Sequence, residues 1–250
     1  MYSKDNNLYN FQKKLLENLK SFNEICEKNN IKYSLHGGTL LGAVRHQGFI
    51  PWDDDIDISI TREEFTKLKE VLKKEKKYKI NLNGWIPQFI VCDKERERVY
   101  IDIFIWDYIS ENVIFQKLKI LLIRLLQGML KENIDYSNYN NKEKILIFST
   151  YFFGLFFSKK IKLKYLNKAH ECSFYGRKEL IHRANDNFKG IAEIFNKQLM
   201  EEYSFLLFED YQFMVSKNFV EILKKSYGEN YIIPPSKEEQ KPLHNFLKGV

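Results

Sequence analysis

The sequence has too few cysteines, at unsuitable spacings, for a disulfide framework or a zinc site. Cys26, Cys92 and Cys172 are odd in number and widely separated, and no Cys-x-x-Cys pair occurs. This pattern is typical of a protein that keeps its thiols reduced. We therefore expect a cytoplasmic protein without structural disulfides.

Long apolar runs are also absent. No stretch reaches the roughly 18 consecutive apolar residues of a membrane-spanning helix, and the polar N-terminus has no signal-peptide core. Residues 117–126 and 145–157 come nearest, and lysines cluster after the second segment. Two interpretations are open: burial in a helical lobe, which we favour, or peripheral contact with an anionic membrane at its inner face.

The composition indicates a globular protein with a modest basic excess. The 250 residues are 44% hydrophobic and 29% charged, and the formal net charge is +7. Such a charge favours polyanions, namely nucleotides, anionic lipid head groups or nucleic acid, without choosing among them. A lysine-rich solvated surface is the alternative interpretation.

Hydrophobic periodicity predicts an α/β (α+β) fold with a mixed sheet. A long amphipathic helix is expected over residues 8–29, followed by short alternating helices and strands. Residues 113–199 are predicted to be mostly helical, and another helix is expected at 219–227. We divide the chain into a catalytic core, a helical insertion and a C-terminal segment that packs back on the core: residues 1–110, 111–200 and 201–250.

An acidic run, Trp52-Asp53-Asp54-Asp55-Ile56-Asp57, is the clearest chemical feature. Asp55 and Asp57 are two apart on a predicted strand, so their side chains project to the same face. Neighbouring carboxylates repel each other unless a cation lies between them. Because hard oxygen ligands suit Mg²⁺ or Mn²⁺, we predict a metal site in preference to a solvated acidic surface.

Asp102 extends this prediction. It lies in the apolar strand predicted at residues 99–105, where an acid is costly unless it has a partner. A metal shared with Asp55 and Asp57 would supply that partner if the two strands are neighbours. A structural hydrogen bond to Asp102 is the alternative.

Gly37-Gly38-Thr39 follows a short predicted strand at residues 31–35 and opens a helix over 40–46, with Thr39 as its cap. Glycines let a backbone approach phosphate closely, and a helix N-terminus offers free N–H donors. The glycine pair precedes the two-acid strand by roughly 17 residues. The order of strand, glycine turn, helix, acid-x-acid strand and third acid is the layout of polymerase-β-like nucleotidyltransferases.

Three segments together resemble the LicD family, bacterial phosphocholine transferases related to fukutin and fukutin-related protein. The longest runs from His36-Gly37-Gly38-Thr39 to Trp52-Asp53-Asp54-Asp55-Ile56-Asp57-Ile58. Residues 99–104 resemble the second acidic strand of the family, and residues 227–235 its C-terminal motif. Residues 110–200 match no motif.

The resemblance implies a nucleotidyltransferase-like fold and a CDP-activated donor such as CDP-choline. A phosphoalkyl group would pass to a sugar hydroxyl of a cell-surface glycan precursor (lipopolysaccharide, teichoic acid or capsule), which is lipid-linked in one interpretation. By position, Asp55, Asp57 and Asp102 match the catalytic, metal-binding acids. Gly37 and Gly38 match the phosphate-holding turn, which includes Thr39.

Further candidates surround this set. Asp53 extends the acidic series and is an additional candidate ligand. Arg45 either neutralises donor phosphate or serves as a helix C-terminal cation. Trp52 either stacks on a base or choline ammonium or packs its loop, and His46 is a candidate substrate contact.

Departures from the family pattern leave the donor and the acceptor open. Ile105-Trp106 stands where the family often has proline, Val215-Ser216-Lys217 lacks the usual proline, and residues 88–93 lack an expected lysine. Two rivals follow: a true nucleotidyltransferase that leaves NMP on a sugar, protein or RNA, and a non-catalytic nucleotide- or nucleic-acid-binding protein. We expect no nucleic-acid partner, because added carboxylates repel phosphate unless a cation is present.

Overall fold

The computed structural model describes residues 6–93, 99–131, 141–173 and 177–240. The polar residues 1–5, parts of the predicted helical region and the last ten residues lie outside these ranges. The chain divides into two compact units, one within Met1–Trp106 and Gln198–Val250, the other within Asp107–Lys197.

Helices and strands alternate through the first part of the chain and cluster separately in the second. The helices are α1 (Asn6–Lys28), α2 (Gly37–His46), α3 (Arg62–Leu72), α4 (Val113–Leu130), α5 (Asn141–Gly154), α6 (Lys159–Glu171) and α7 (Phe219–Tyr227). The strands are β1 (Ser34–Leu35), β2 (Asp57–Thr61), β3 (Tyr78–Asn81), β4 (Gln88–Val91), β5 (Tyr100–Ile109), β6 (Leu180–Arg183), β7 (Ile194–Asn196), β8 (Tyr203–Phe208) and β9 (Tyr211–Ser216).

A mixed sheet organises the first unit, as the α/β (α+β) prediction requires. Its strands lie in the order β1-β2-β5-β4-β3. Strands β2 and β5 are parallel, whereas the β1–β2, β5–β4 and β4–β3 pairs are antiparallel. Strands β8 and β9 form a separate antiparallel pair, and β6 and β7 pair in the second unit. The mixed sheet is therefore confirmed.

Helix α1 packs its apolar face into the core, and its prediction is confirmed. Leu15, Leu19 and Phe22 recur at helical spacing and are buried. The Phe22 ring meets Tyr33 edge-on at 5.1 Å and Phe89 at 5.3 Å between centroids. Each such fully buried side chain contributes about 1.5–3 kcal/mol of transfer free energy, so α1 anchors strand β4 and the segment before β1.

Several element predictions need correction. Strand β2 begins at Asp57 instead of Asp55, and β1 covers only Ser34–Leu35. Residues 180–196 contain two short strands where helix was predicted, because strands of three or four residues are too short to show clear alternation. Strand β9 was not predicted; it contacts β1, where Ser216 N donates to Ser34 Oγ at 2.9 Å.

The favoured burial of the apolar segment 145–157 is also wrong. Ile145, Phe148 and Phe153 on α5 are all more than half exposed. Hydrophobicity alone made a buried helix the simpler interpretation, since sequence does not show which apolar helices find partners. No helix among the described residues has the length and apolarity needed to cross a membrane.

Thr61 caps helix α3, and its hydroxyl accepts a hydrogen bond from Glu64 N at 3.3 Å. We expect Thr61→Ala to lower the free energy of unfolding by about 1 kcal/mol, because the first turn loses its cap. Thr66→Ala is the matched control: Thr66 is exposed within the same helix, and we expect a change of no more than about 0.5 kcal/mol. Urea denaturation measures both; equal losses would contradict the capping role.

Candidate active site

Asp57 and Asp102 face each other across neighbouring strands. They are direct partners in the parallel β2–β5 register, and such strands lie about 4.8 Å apart. Both acids are half-buried, while Ile58 and Ile103, the next residues, are buried. The carboxylates therefore project from the same face of the sheet, the arrangement on which a shared cation depends.

The remaining acids lie in the turn that leads into β2. Asp53 N donates to Ile50 O at 2.9 Å, which closes this turn. Gln12 Nε2, on helix α1, donates to Asp53 O at 2.9 Å and so ties the turn to that helix. Asp53 and Asp54 are buried, and Asp55 is half-buried one step before Ile56, which is fully buried.

The glycine pair makes room for two of these acids. A Cβ atom at Gly37 would lie 2.5 Å from Asp57 Oδ2, and one at Gly38 would lie 2.6 Å from Asp53 Oδ2. Gly37 also has a φ of +53°, which L side chains rarely adopt. The carboxylates thus lie against the first turn of α2, where the helix dipole favours negative charge.

Thr39 was predicted to cap helix α2, and this prediction is wrong. The helix begins at Gly37, and His36, in the N-cap position, makes no side-chain capping bond. The hydrogen bonding between β1 and β2 continues up to the residue before the helix, because His36 N donates to Asp57 O at 3.0 Å. Thr39 is buried, and its hydroxyl accepts from Asp57 N at 2.9 Å, which ties α2 to β2.

A row of polar side chains that the sequence did not reveal holds Asp102. Gln88 pairs with Asp102 in the β4–β5 register, and Asn81 pairs with Gln88 across β3–β4. Gln88 Nε2 donates to Asp102 Oδ1 at 3.0 Å, and Asn81 Nδ2 donates to Gln88 Oε1 at 3.1 Å. Because a carboxylate has about four acceptor sites, Asp102 can accept this structural hydrogen bond and still ligate a cation.

Tyr100 lies on the same face as Asp102, two residues earlier on β5. Partial burial raises the pKa of its phenol, and the negative charges of Asp102, Asp55 and Asp54 raise it further. The hydroxyl therefore stays protonated at neutral pH and can donate a hydrogen bond beside the carboxylates. No spacing rule singled out Tyr100 in the sequence.

Arg45 and His46 lie at the far end of helix α2. Arg45 Nη1 donates to Tyr231 O at 3.4 Å, which brings the C-terminal motif next to this helix. Burial lowers the pKa of Arg45, while Tyr227 and Asp53 raise it; Arg45 Nε is buried without a hydrogen-bond partner among the described residues. His46 is largely exposed, and partial burial and then the Arg45 charge lower its pKa, so it is neutral at pH 7.

Trp52 is half-buried in the loop before the acids. This loop is held by the β8–β9 turn, since Glu209 N donates to Gln47 O at 2.8 Å and Phe49 N donates to Glu209 Oε1 at 3.1 Å. The rings of Phe49 and Phe208 meet at 4.8 Å. Hydrogen bonds and a ring contact thus hold the loop that carries Trp52 against β8 and the β8–β9 turn.

The residues present fit a hard cation that is completed by substrate. In the described ranges, no three His, Cys, Asp or Glu side chains converge enough to hold a metal ion by themselves. Mg²⁺, however, is usually bound by one or two carboxylates together with water and phosphate oxygens. The opposed pair Asp57 and Asp102, with Asp53 and Asp55 alongside, supplies oxygen ligands of that kind.

This combination of a mixed sheet, a glycine-led helix and acids on adjacent parallel strands defines a nucleotidyltransferase-type domain. Residues 30–124 match the family described as "LicD/FKTN/FKRP, nucleotidyltransferase domain". They are a LicD-family domain, and the resemblance drawn from the sequence motifs is confirmed.

Three relatives illustrate the match. The lipopolysaccharide cholinephosphotransferase LicD of Haemophilus influenzae is 29% identical over 252 residues, covering 90% of this chain and 91% of that protein. An uncharacterized protein of Rickettsia prowazekii is 37% identical over 111 residues, 40% of this chain and 42% of its own. The human ribitol 5-phosphate transferase FKRP is 28% identical over 100 residues, 37% of this chain and 20% of its own.

The Thr39–Asp57 hydrogen bond yields a stability prediction. Thr39→Val removes the acceptor and leaves the Asp57 N–H without it, which should cost about 1–3 kcal/mol of unfolding free energy. Thr39→Ser keeps the hydroxyl and loses one methyl group, so we expect a cost of only about 0.8 kcal/mol. Chemical denaturation monitored by circular dichroism compares them; equal costs would show that the hydroxyl is unimportant.

Proposed function

We propose that this protein is a Mg²⁺-dependent transferase that moves a phosphoalkyl group, such as phosphocholine, from a CDP-activated donor to a sugar hydroxyl of a cell-surface glycan precursor. The observation that carries the proposal is the opposed pair Asp57 and Asp102 beside the glycine-led start of α2. The cholinephosphotransferase LicD, aligned over 90% of the chain, supports this class of reaction. Manganese is an alternative to magnesium.

The aspartates of the site would bind the cation in this proposal. Asp57 and Asp102 would hold the cation together with water and donor phosphate oxygens, and Asp55 and Asp53, the latter against Gly38, are the additional candidate ligands. A bound divalent cation supplies charge neutralisation for the diphosphate and polarises the phosphoryl oxygens. Phosphoryl transfer depends mainly on such positioning and electrostatic stabilisation, so no covalent nucleophile is required from the chain.

Other side chains orient the two substrates. Gln88 fixes one oxygen of Asp102, and the Asp102 carboxylate would accept the proton of the sugar hydroxyl. The protonated Tyr100 donates a hydrogen bond at the same face. Arg45, whose charge interacts with that of Asp53, would neutralise donor phosphate.

Two further residues contact the donor in this proposal. The indole of Trp52 would offer a face for the cytosine base or the choline ammonium, and a cation–π contact with the ammonium is worth about 0.5–2 kcal/mol. The neutral His46 lies nearby in sequence and offers an uncharged donor or acceptor to the substrate.

A transfer assay tests this function directly. CDP-choline labelled separately in its cytidine and choline halves is incubated with Mg²⁺ and a glycan acceptor. We expect the choline label to reach the acceptor and the cytidine label to leave as CMP. Transfer of the cytidine label would instead establish a true nucleotidyltransferase, and transfer that persists in EDTA would refute metal dependence.

Asp55→Ala should reduce transfer by about a thousandfold, because cation-derived stabilisation is worth several kcal/mol. The far-ultraviolet circular dichroism spectrum should stay unchanged, since Asp55 precedes β2 and is half-buried. Glu75→Ala, which removes an exposed acid after α3, is the control and should keep full activity. Equal activity of both variants would remove Asp55 from the mechanism.

Gln88→Leu tests whether Gln88 positions Asp102. We expect the Mg²⁺ concentration for half-maximal activity to rise on the order of 10–100-fold, as for other residues that orient metal ligands. A merely structural role would lower the unfolding temperature and leave this Mg²⁺ dependence unmoved.

A further inference from the structure

An extensive apolar surface lies exposed on the helices of the second unit. Of the 25 exposed large hydrophobic side chains among the described residues, 15 fall between positions 113 and 165. We call this set the apolar helical surface; it includes Leu118, Leu122, Phe148, Phe152, Phe156 and Tyr165. Contiguous apolar patches beyond a few hundred Å² are rare on monomeric proteins and mark interaction sites.

Two glycines let helices of this unit approach each other closely, while many large apolar residues face outwards. Helices α4 and α5 approach closely where Gly128 meets Thr150 and Gly154 meets Met129. On the outer side, the rings of Phe148, Phe152 and Phe156 follow one another at 6.5 and 5.6 Å between centroids, with Phe156 71% exposed. The three rings therefore form an outward-facing apolar strip, which suits contact with an apolar surface.

The positive charge of the chain lies in the same unit. Residues 107–197 hold 16 of the 40 Lys and Arg but only nine of the 33 Asp and Glu, a formal charge of +7; the rest of the chain holds 24 of each. Residues 144–170 contain six lysines and no acid. Lys160, Lys164 and Lys168 repeat every four residues along α6 and are exposed.

We infer that the apolar helical surface lies in the plane of an anionic lipid bilayer. Its aromatic and aliphatic side chains enter the boundary between head groups and acyl chains, and the lysines of α6 meet anionic head groups. In-plane binding suits helices too short or too charged to span. A second copy of the chain would bring the same positive charge to the contact, which opposes self-association. This inference does not depend on the proposed reaction.

Vesicle sedimentation of the full chain tests the inference, with phosphatidylcholine vesicles that contain or lack phosphatidylglycerol. We expect binding to the anionic vesicles that weakens as salt is added. Replacing Lys160, Lys164 and Lys168 together by Gln should weaken it on the order of a hundredfold, at roughly fivefold per lysine. The same replacement of Lys74, Lys76 and Lys79, exposed lysines of the first unit, should leave binding unchanged.

Phe152→Gln and Phe156→Gln together should also abolish vesicle binding, because they remove apolar area from the centre of the surface. Phe205→Gln, at an exposed phenylalanine on β8, is the matched control and should bind normally. Light scattering of the unbound protein completes the test. Binding indifferent to phosphatidylglycerol, or a concentration-dependent dimer that the Phe152 and Phe156 substitutions dissociate, would overturn the inference.

Discussion

Asp57 and Asp102 lie side by side on parallel strands, and the first unit is arranged around this unfavourable pairing of like charges. The pairing depends on the β2–β5 register, which opposes the two acids and sends their isoleucine neighbours into the core. A shift of β2 by one residue would turn Asp57 inwards and expose Ile58 and Ile60, so burial of the apolar face enforces the pairing. The hydrophobic core thereby holds together charges that would otherwise separate, and a cation can exploit that proximity.

The surrounding contacts each limit how the acids can move. Gly37 and Gly38 admit two carboxylates against the positive end of α2, and Thr39 fixes the backbone at Asp57. From the opposite edge, Gln88 fixes Asp102. Such positioning matters for phosphoryl transfer, in which electrostatic stabilisation by correctly placed groups does most of the work. The second unit contributes a different property, a charged and apolar surface suited to lipid.

The sequence was sufficient for features that arise from local pattern. The spacing of Leu15, Leu19 and Phe22 predicted α1, and the alternation of acid and isoleucine predicted that Ile58 would be buried while Asp57 faces the other side of β2. Gln88 and Asn81 escaped notice because their role depends on strand register, a tertiary property that no local pattern encodes. The exposure of Phe148 and its neighbours was not predicted for a related reason. Hydrophobicity measures the tendency of a side chain to leave water, but it does not identify the surface against which that side chain packs.

The central claim is that Asp57 and Asp102 act together as one cation-diphosphate site, and thermal unfolding with CDP-choline as the probe tests it most directly. In the wild-type protein, Mg²⁺ and CDP-choline together should raise the unfolding temperature, since a ligand at about a hundred times its Kd contributes about 2.7 kcal/mol. Neither Asp57→Asn nor Asp102→Asn should show this joint increase. The account would be contradicted if both variants showed the same increase in unfolding temperature as the wild type. It would also be contradicted if CDP-choline alone gave the wild-type protein the full increase without Mg²⁺.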